Sequence, residues 1–360
     1  MRVVLLVTDF QRGGTPRRIA RLARGLAAAG LEVHAGCLAP PGPVSGDLAA
    51  AGIPTFACHA RGPHDLAALW RLARYVRRVR PDLIHATLTH ANVAARLAAL
   101  PEGIPVIGST ATIEVERRWH RWAERVTGGL EQAHLVGSRV VADHVVRAFR
   151  RPRQRVHVVP PSLDPWPRSV ERRIARTALA LPDDAFVVAW TGRFDPVKRL
   201  DLVVACAARL ADIPARFLLA GDGPQRPHVQ RLLDRSPAGP HVQLLGWRDD
   251  VPTILSAADV FLFPSLTEGM PNAVLEAMAC GVAIVGSDIP VLRELAGDEG
   301  RLRLVAGNDP ADFAAALRQL RENETLRRTL GGRAATWACE NLRFEATLAA
   351  VRRVYEHVLG

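Results

Sequence analysis

The chain of 360 residues carries 47 basic and 36 acidic side chains, a formal net charge of +11. Its 48% apolar and 23% charged content excludes a disordered polymer, and no run reaches the roughly 18 apolar residues of a transmembrane helix. The five cysteines, Cys37, Cys58, Cys206, Cys280 and Cys339, lack C-x-x-C spacing, which argues against a metal site and for reduced thiols in the cytoplasm.

The apolar run from Val3 stops at Asp9, too short for a signal h-region, and predicts a buried first strand over Val3–Thr8. Gly13-Gly14-Thr15-Pro16 then opens a helix through Ala29, capped by Gly30. A strand over Glu32–Leu38, a short helix over Asp47–Ala51 and a strand over Thr55–Cys58 follow. Asp65 caps a helix to Arg80, which Pro81 stops. Strands are expected at Leu83–His85, Val106–Ser109, Leu135–Gly137 and Val156–Val159. Four prolines between Pro160 and Pro167 mark a linker. A second strand–helix series follows, with strands at Phe186–Thr191, Arg216–Ala220, Val242–Leu244, Val260–Phe263, Ala283–Gly286 and Arg303–Val305. Helical segments near Ala311–Arg321, Glu324–Glu340 and Phe344–Val358 close the chain. Alternating strands and helices predict an α/β class with parallel sheets in two Rossmann-like domains. The expected division is 1–165, 166–340 and a C-terminal helix over 341–360.

Lys198 is the only lysine; the other 46 basic residues are arginine. It sits in Gly192-Arg193-Phe194-Asp195-Pro196-Val197-Lys198, where a planar guanidinium and a compact ammonium stand five residues apart, a pattern suited to clamping a diphosphate. A second segment, Glu268-Gly269-Met270-Pro271-Asn272-Ala273-Val274-Leu275-Glu276, follows the strand ending at Phe263 and feeds a helix that Gly281 ends. The first turn of such a helix, near Asn272–Val274, offers N–H groups to an anion or a sugar hydroxyl. One of the two glutamates suits sugar hydroxyls and the other the paired hydroxyls of a ribose. Asp222, between Gly221 and Gly223, shapes a turn.

Glu-x7-Glu at 268 and 276, Gly-Arg-x4-Lys at 192–198, Gly221-Asp222-Gly223-Pro224 and the Gly13-Gly14 turn together resemble the retaining glycosyltransferases of the GT-B fold, family 4, over essentially the whole chain. The resemblance implies two Rossmann-like domains facing across a cleft, with the C-terminal helix packing back on the N-terminal domain. It assigns Arg193 and Lys198 to the donor diphosphate, Glu268 to the donor sugar and Glu276 to the ribose. Arg193, Lys198 and Glu268 are then the catalytic candidates. Gly14 lets the backbone approach the diphosphate, Asp222 lies at the cleft edge, and Trp247 and Arg248 lie where the family borders the base. Gly269, Met270, Pro271, Asn272 and Ala273 complete the donor loop. The implied reaction moves a sugar from a nucleotide-diphosphate sugar to an acceptor hydroxyl, glycan or lipid-linked, without a metal or other cofactor. No D-x-D motif stands near these residues. The chain departs from the family at Thr110-Ala111-Thr112-Ile113-Glu114, where many relatives carry a histidine. His85 and His90 are candidates for the acceptor side or cleft, or are structural histidines.

Residues 1–165 hold 23 arginines and 12 acidic residues, whereas residues 166–360 balance 24 basic against 24 acidic residues. The excess lies in three stripes: Arg17, Arg18, Arg21 and Arg24; Arg71, Arg74, Arg77 and Arg78; Arg117, Arg118, Arg121 and Arg125, the last with Trp119 and Trp122. Each is either a basic face for an anionic membrane, which predicts a cytoplasmic protein peripheral to the inner face of the plasma membrane, or solvated arginine from a GC-rich composition. A nucleic-acid binder fits the pI near 10.8 but finds no recognition motif, zinc spacing or aromatic run. A sugar-nucleotide binder without turnover, or an epimerase of similar fold, shares the donor features; a P-loop NTPase is excluded by the missing G-x4-G-K-[ST].

Overall fold

The computed structural model describes residues 1–11, 13–62, 65–113, 118–163 and 170–360. Chain contacts divide it into unit 1, residues 1–162 with 344–360, and unit 2, residues 163–343. The calls on Glu114 and Arg117, and the linker prolines Pro165 and Pro167, lie outside the described residues.

Unit 1 is built on seven parallel strands: β1 (Arg2–Val7), β2 (Glu32–Cys37), β3 (Thr55–Ala57), β4 (Leu83–Thr87), β5 (Val106–Thr110), β6 (Ala133–Val136) and β7 (Val156–Val158). Their order is β3-β2-β1-β4-β5-β6-β7. The helices between them are α1 (Gly14–Ala28), α2 (Pro43–Ala50), α3 (Leu66–Val79), α4 (Thr89–Ala99), α5 (Arg118–Thr127) and α6 (Arg139–Ala148). Successive residues of a strand point to opposite faces. Accordingly Val3, Leu5 and Val7 enter one core beside α1, and Val4 and Leu6 enter another beside α3 and α4. Both faces of the sheet are covered, which is why β1 reads as an unbroken apolar run rather than an alternation. Asp65 caps α3 by accepting a hydrogen bond of 3.1 Å from the Ala68 N–H. The short helix α2 begins at Pro43 rather than near Asp47, because a proline in the first turn gives up only an N–H that has no helical partner. Sequence periodicity does not single out α4, whose alanine-rich run carries no strong turn signal.

A charged network lies wholly inside unit 1. The Arg96 guanidinium on α4 meets Glu124 of α5 at 2.7 Å and Glu131 at 2.5 Å. Arg151 donates to Glu124 at 2.9 Å and also to Glu131. His134 on β6 lies 2.9 Å from Glu131 through Nδ1 and 2.9 Å from the Thr110 hydroxyl through Nε2. None of these four ionic side chains is more than 3% exposed. Burial works to raise the pKa of Glu131, but His134, Arg96 and Arg151 more than offset it and hold the carboxyl well below the usual range.

Unit 2 has six parallel strands: β8 (Phe186–Thr191), β9 (Ala215–Ala220), β10 (Val242–Gly246), β11 (Val260–Phe263), β12 (Ala283–Ser287) and β13 (Arg303–Val305), in the order β10-β9-β8-β11-β12-β13. Its helices are α7 (Arg172–Ala178), α8 (Leu200–Arg209), α9 (Arg226–Asp234), α10 (Val251–Ala257), α11 (Asn272–Ala279), α12 (Pro290–Ala296), α13 (Pro310–Glu322) and α14 (Glu324–Asn341). In both sheets the strand order reverses direction at the first strand, between β1 and β4 and between β8 and β11. Such switch points leave a crevice at the carboxyl ends of the strands, where α/β sheets bind ligands.

The last helix, α15 (Phe344–Leu359), belongs to unit 1. Val351, Val354 and Tyr355 enter the core beside α1. Gly25 of α1 permits this approach, since a Cβ there would collide with the Phe344 ring. The result is the predicted α/β class, two Rossmann-like units, each on its own parallel sheet.

Candidate active site

In unit 2 the site grows from the ends of β8, β9 and β11. After β8 the chain turns through Gly192, with φ 153°, into a short 3-10 turn at Pro196–Lys198. Arg199 then takes a left-handed φ of 53° to enter α8. After β9, Gly221 has φ 141°, and a Cβ on it would fall on the Gly192 carbonyl oxygen. Two backbone bonds, Phe194 N–H to Asp222 O and Gln225 N–H to Phe194 O, both 2.9 Å, knit the two turns. The Asp222 side chain accepts from the Gly223 N–H at 2.7 Å, so it shapes its own turn.

The loop after β11 is tied to the first turn by the Leu266 N–H, which donates to Val197 O at 2.9 Å. This bond brings the two sequence motifs together. Lys198 Nζ lies 2.5 Å from Glu268 Oε1, and the side chains are 18% and 10% exposed. The ammonium also lies 5.2 Å from the centroid of the Phe263 ring, within cation–π range. A half-buried cation is thus held between a carboxylate on the loop that leads to α11 and an aromatic face at the end of β11. Pro271 precedes α11 and supplies no side-chain cap; the Val274 and Leu275 N–H groups both donate to the Pro271 carbonyl, at 3.1 and 3.2 Å. Gly269, Met270 and Pro271 are buried, while Asn272, Ala273 and Glu276 are half-buried on the helix. Ser265, which sequence reasoning gave no role, is fully buried with its hydroxyl unpartnered among the described residues. Its only sequence signal is its place two residues beyond β11.

Other predicted residues stand apart. Arg193 is 70% exposed and pairs with Asp195 at 3.2 Å. Arg248 is held by Asp250 through two bonds of 2.7 and 2.6 Å, and Trp247 donates to Asp249 at 3.3 Å. These pairs link residues two apart in the chain and position a loop after β10.

In unit 1, Gly14 is the first residue of α1. His85, on β4, is buried and shares a 2.7 Å hydrogen bond with the Tyr355 hydroxyl of α15. Burial, with His134 adding to it, pushes its pKa down to about 4, so the ring is neutral near pH 7. His85 lines a cavity of about 70 Å³ with Arg18, Arg21, Thr87 and Ser109. Burial and the neighbouring Arg21 lower the Arg18 pKa to about 10. His90 belongs elsewhere: its ring lies 5.1 Å from Trp119 and 4.9 Å from His120, and it lines a separate groove beside α3 and α4. The described residues contain no group of three or more His, Cys, Asp or Glu side chains placed to hold a metal.

Two family models match the chain in succession, Glycosyltransferase Family 4 over residues 12–166 and Glycosyl transferases group 1 over residues 185–323. The chain belongs to the family 4, group 1 glycosyltransferases. A D-inositol 3-phosphate glycosyltransferase of Salinispora arenicola is 29% identical over 307 residues, 76% of this chain and 68% of the relative. A 2-deoxystreptamine N-acetyl-D-glucosaminyltransferase of Streptomyces fradiae is 30% identical over 276 residues, 70% of this chain and 65% of the relative. The chain thus spans about two thirds of the length of these curated relatives. The crystal structure of Anabaena HepE in complex with UDP and glucose superposes with a TM-score of 0.86 at 18% identity, covering 99% of both chains. That likeness is one of fold. The matches mark a transferase of sugars from a donor, and the Lys198–Glu268 pair falls within the group 1 match.

Proposed function

We propose that this transferase takes a sugar from a UDP-sugar with retention of anomeric configuration and without a metal. The sugar passes to an acceptor hydroxyl of a cell-envelope glycan or glycolipid. The observation that carries the reading is the contact of Lys198 with Glu268 on the loop that leads to α11. As the glycosidic bond breaks, negative charge builds on the departing diphosphate, and a fixed ammonium beside it stabilises that charge. Arg193 on its exposed turn adds a second cation on ligand binding. Glu268 serves the donor sugar and Glu276 the ribose. HepE, which was crystallised with UDP and glucose, supports UDP as the carrier. Thermal-shift screening of the full chain with UDP-, GDP- and ADP-sugars tests the donor, because a ligand of the folded state raises stability with the logarithm of its saturation. A UDP-sugar should give the largest shift, and chelator should leave it unchanged. A larger shift with GDP- or ADP-sugars, or loss with chelator, sinks the assignment.

The two glutamates should separate in kinetics. Glu276→Gln is expected to weaken UDP binding in calorimetry, whereas Glu268→Gln should lower turnover with UDP affinity nearly kept. The opposite pattern exchanges their roles.

The basic half supports a peripheral membrane location, carried by α3 and α5 rather than α1. On α1, Arg18 and Arg21 line the cavity with His85, and Arg24 donates to the Asp47 carbonyl at 3.2 Å. On the other two helices large apolar side chains face outward: Trp70 is 60% and Trp122 67% exposed. Arg74 stacks over Trp70 at 5.5 Å, and Arg78 over Tyr75 at 5.1 Å. Arginine beside exposed tryptophan suits an anionic bilayer surface. Some stripe residues are spent locally: Arg71 on the Cys58 carbonyl, Arg77 on Glu102 and Arg125 on the Ala148 carbonyl. The full chain should therefore sediment with acidic vesicles at low salt and release as salt rises, each surface arginine giving about 1 kcal/mol. The triple change of Arg74, Arg78 and Arg121 to Glu should abolish sedimentation and spare UDP binding. Wild-type protein left in the supernatant at low ionic strength ends the membrane reading.

A further inference from the structure

The cavity of about 70 Å³ beside His85 lies on the face of the unit 1 sheet that carries α1 and α15, and the sugar-transfer reading gives it no part. Its polar lining comes from Arg18 and Arg21 of α1, His85 and Thr87 of β4, Ser109 of β5 and Thr347 of α15. Among the described residues no Asp or Glu lines it. One water-sized centre takes roughly 10–15 Å³ of such space, so the cavity accommodates about five heavy atoms.

This lining is built to donate. Tyr355 is fully buried, and burial holds the proton on its phenol. Among the described residues the acceptor for that proton is His85 Nδ1, at 2.7 Å. With Nδ1 accepting, the neutral ring carries its own proton on Nε2. His85 is 3% exposed, and its Nε2 has no partner among the described residues. The Thr87 and Ser109 hydroxyls lie 3.2 Å apart, so one of their two protons serves that bond and the other is left to a ligand. Burial and the neighbouring Arg21 already press the Arg18 guanidinium down to a pKa of about 10. A buried N–H without an acceptor is costly, and an anion relieves it together with the pressure on Arg18. A chloride leaves most of the volume unfilled, and water brings no charge.

We propose that the cavity binds one tetrahedral inorganic oxyanion, phosphate or sulfate, with Arg18 as its counter-charge and with the His85 Nε2–H and the Thr87–Ser109 hydroxyl pair donating to its oxygens. Charge-assisted bonds of this kind are about twice as strong as neutral ones. The walls come from the first and the last helix of unit 1, so the bound anion ties α15 to α1. All the lining residues belong to unit 1, and nothing in the site depends on a UDP-sugar being the donor.

Calorimetric titration of the full chain with sodium sulfate and with sodium phosphate, at an ionic strength held constant with sodium chloride, should give saturable one-to-one binding. Arg18→Met should weaken that binding roughly tenfold, as loss of one charge-assisted contact requires. Thr87→Val removes a hydroxyl at nearly constant volume and should weaken it in the same sense, which keeps the test open if Arg18→Met melts early. In hydrogen exchange, sulfate should slow the amides of α15 in the wild-type chain and not in Arg18→Met. General stabilisation by an excluded salt would slow both alike and overturns the proposal. So does the absence of a titration, since the cavity then holds water alone, and so does an affinity unchanged in both variants. UDP added to the sulfate-loaded chain should leave sulfate affinity as it was. Displacement of sulfate by UDP would assign the oxyanion contact to the nucleotide and end the claim of a separate site.

Discussion

Lys198→Ala should lower turnover by on the order of 10²–10³, the loss typical of removing one preorganised stabiliser of transition-state charge. The ammonium is held between Glu268 and the Phe263 ring, so it does not have to be ordered when the diphosphate leaves. Lys198→Arg should recover only part of the loss, because a planar fork cannot occupy the place of a compact ammonium 2.5 Å from a carboxylate. Single-turnover rates with the UDP-sugar that gives the largest thermal shift provide the measurement. A rate for Lys198→Ala within twofold of wild type rules out a diphosphate clamp at this position. UDP affinity should fall less than the rate, since the contact tightens as charge develops.

The second large effect concerns stability. Glu131→Gln or Arg96→Met strips one partner from a network whose ionic side chains are at most 3% exposed, and should cost about 3–5 kcal/mol. The calorimetric transition of the affected unit should then fall by on the order of 10 °C. Replacing Arg96, Glu124, Glu131 and Arg151 together by apolar residues of similar volume should cost less than either single change, because no orphan charge remains. The network also gives an acid limit. Glu131 titrates in the folded chain well below its ordinary value of 4.5. Its contribution is therefore complete above that value and drains away as pH falls below it toward the depressed folded pKa. Glu131→Gln should flatten this part of the stability–pH curve. A melting temperature within a degree of wild type at neutral pH excludes the role given to the network.

The donor motifs were legible because they are local. Arg193 and Lys198 lie on one turn, Glu268 and Glu276 on one loop and helix, and each spacing is short enough to read directly. The bond from Leu266 to Val197 that brings Lys198 onto Glu268 joins segments about seventy residues apart, and no periodicity encodes it. The charged network was illegible for a different reason. In a chain whose basic residues are nearly all arginine, a buried Arg96 or Arg151 looks the same as a solvated one. Only the fold sets them against Glu124 and Glu131. The stripes show both sides of this: their existence is plain in the sequence, but which arginines are spent on carbonyls and which stand beside exposed tryptophan is decided by packing. His85 is similar, since its partner Tyr355 lies 270 residues on.

The placement of α15 sets an order of assembly during synthesis. Unit 2 is one continuous stretch of chain and contains every residue of its own cores. Unit 1 is begun first, yet the core beside α1 stays open until Val351, Val354 and Tyr355 emerge after all of unit 2. The usual sequence, in which the first-made domain is the first finished, is thereby inverted. Nascent unit 1 must wait with an apolar face uncovered for about 180 residues of translation, roughly ten to forty seconds at ordinary rates. During that interval the helix α1 side of the sheet is the part of the chain most in need of a chaperone.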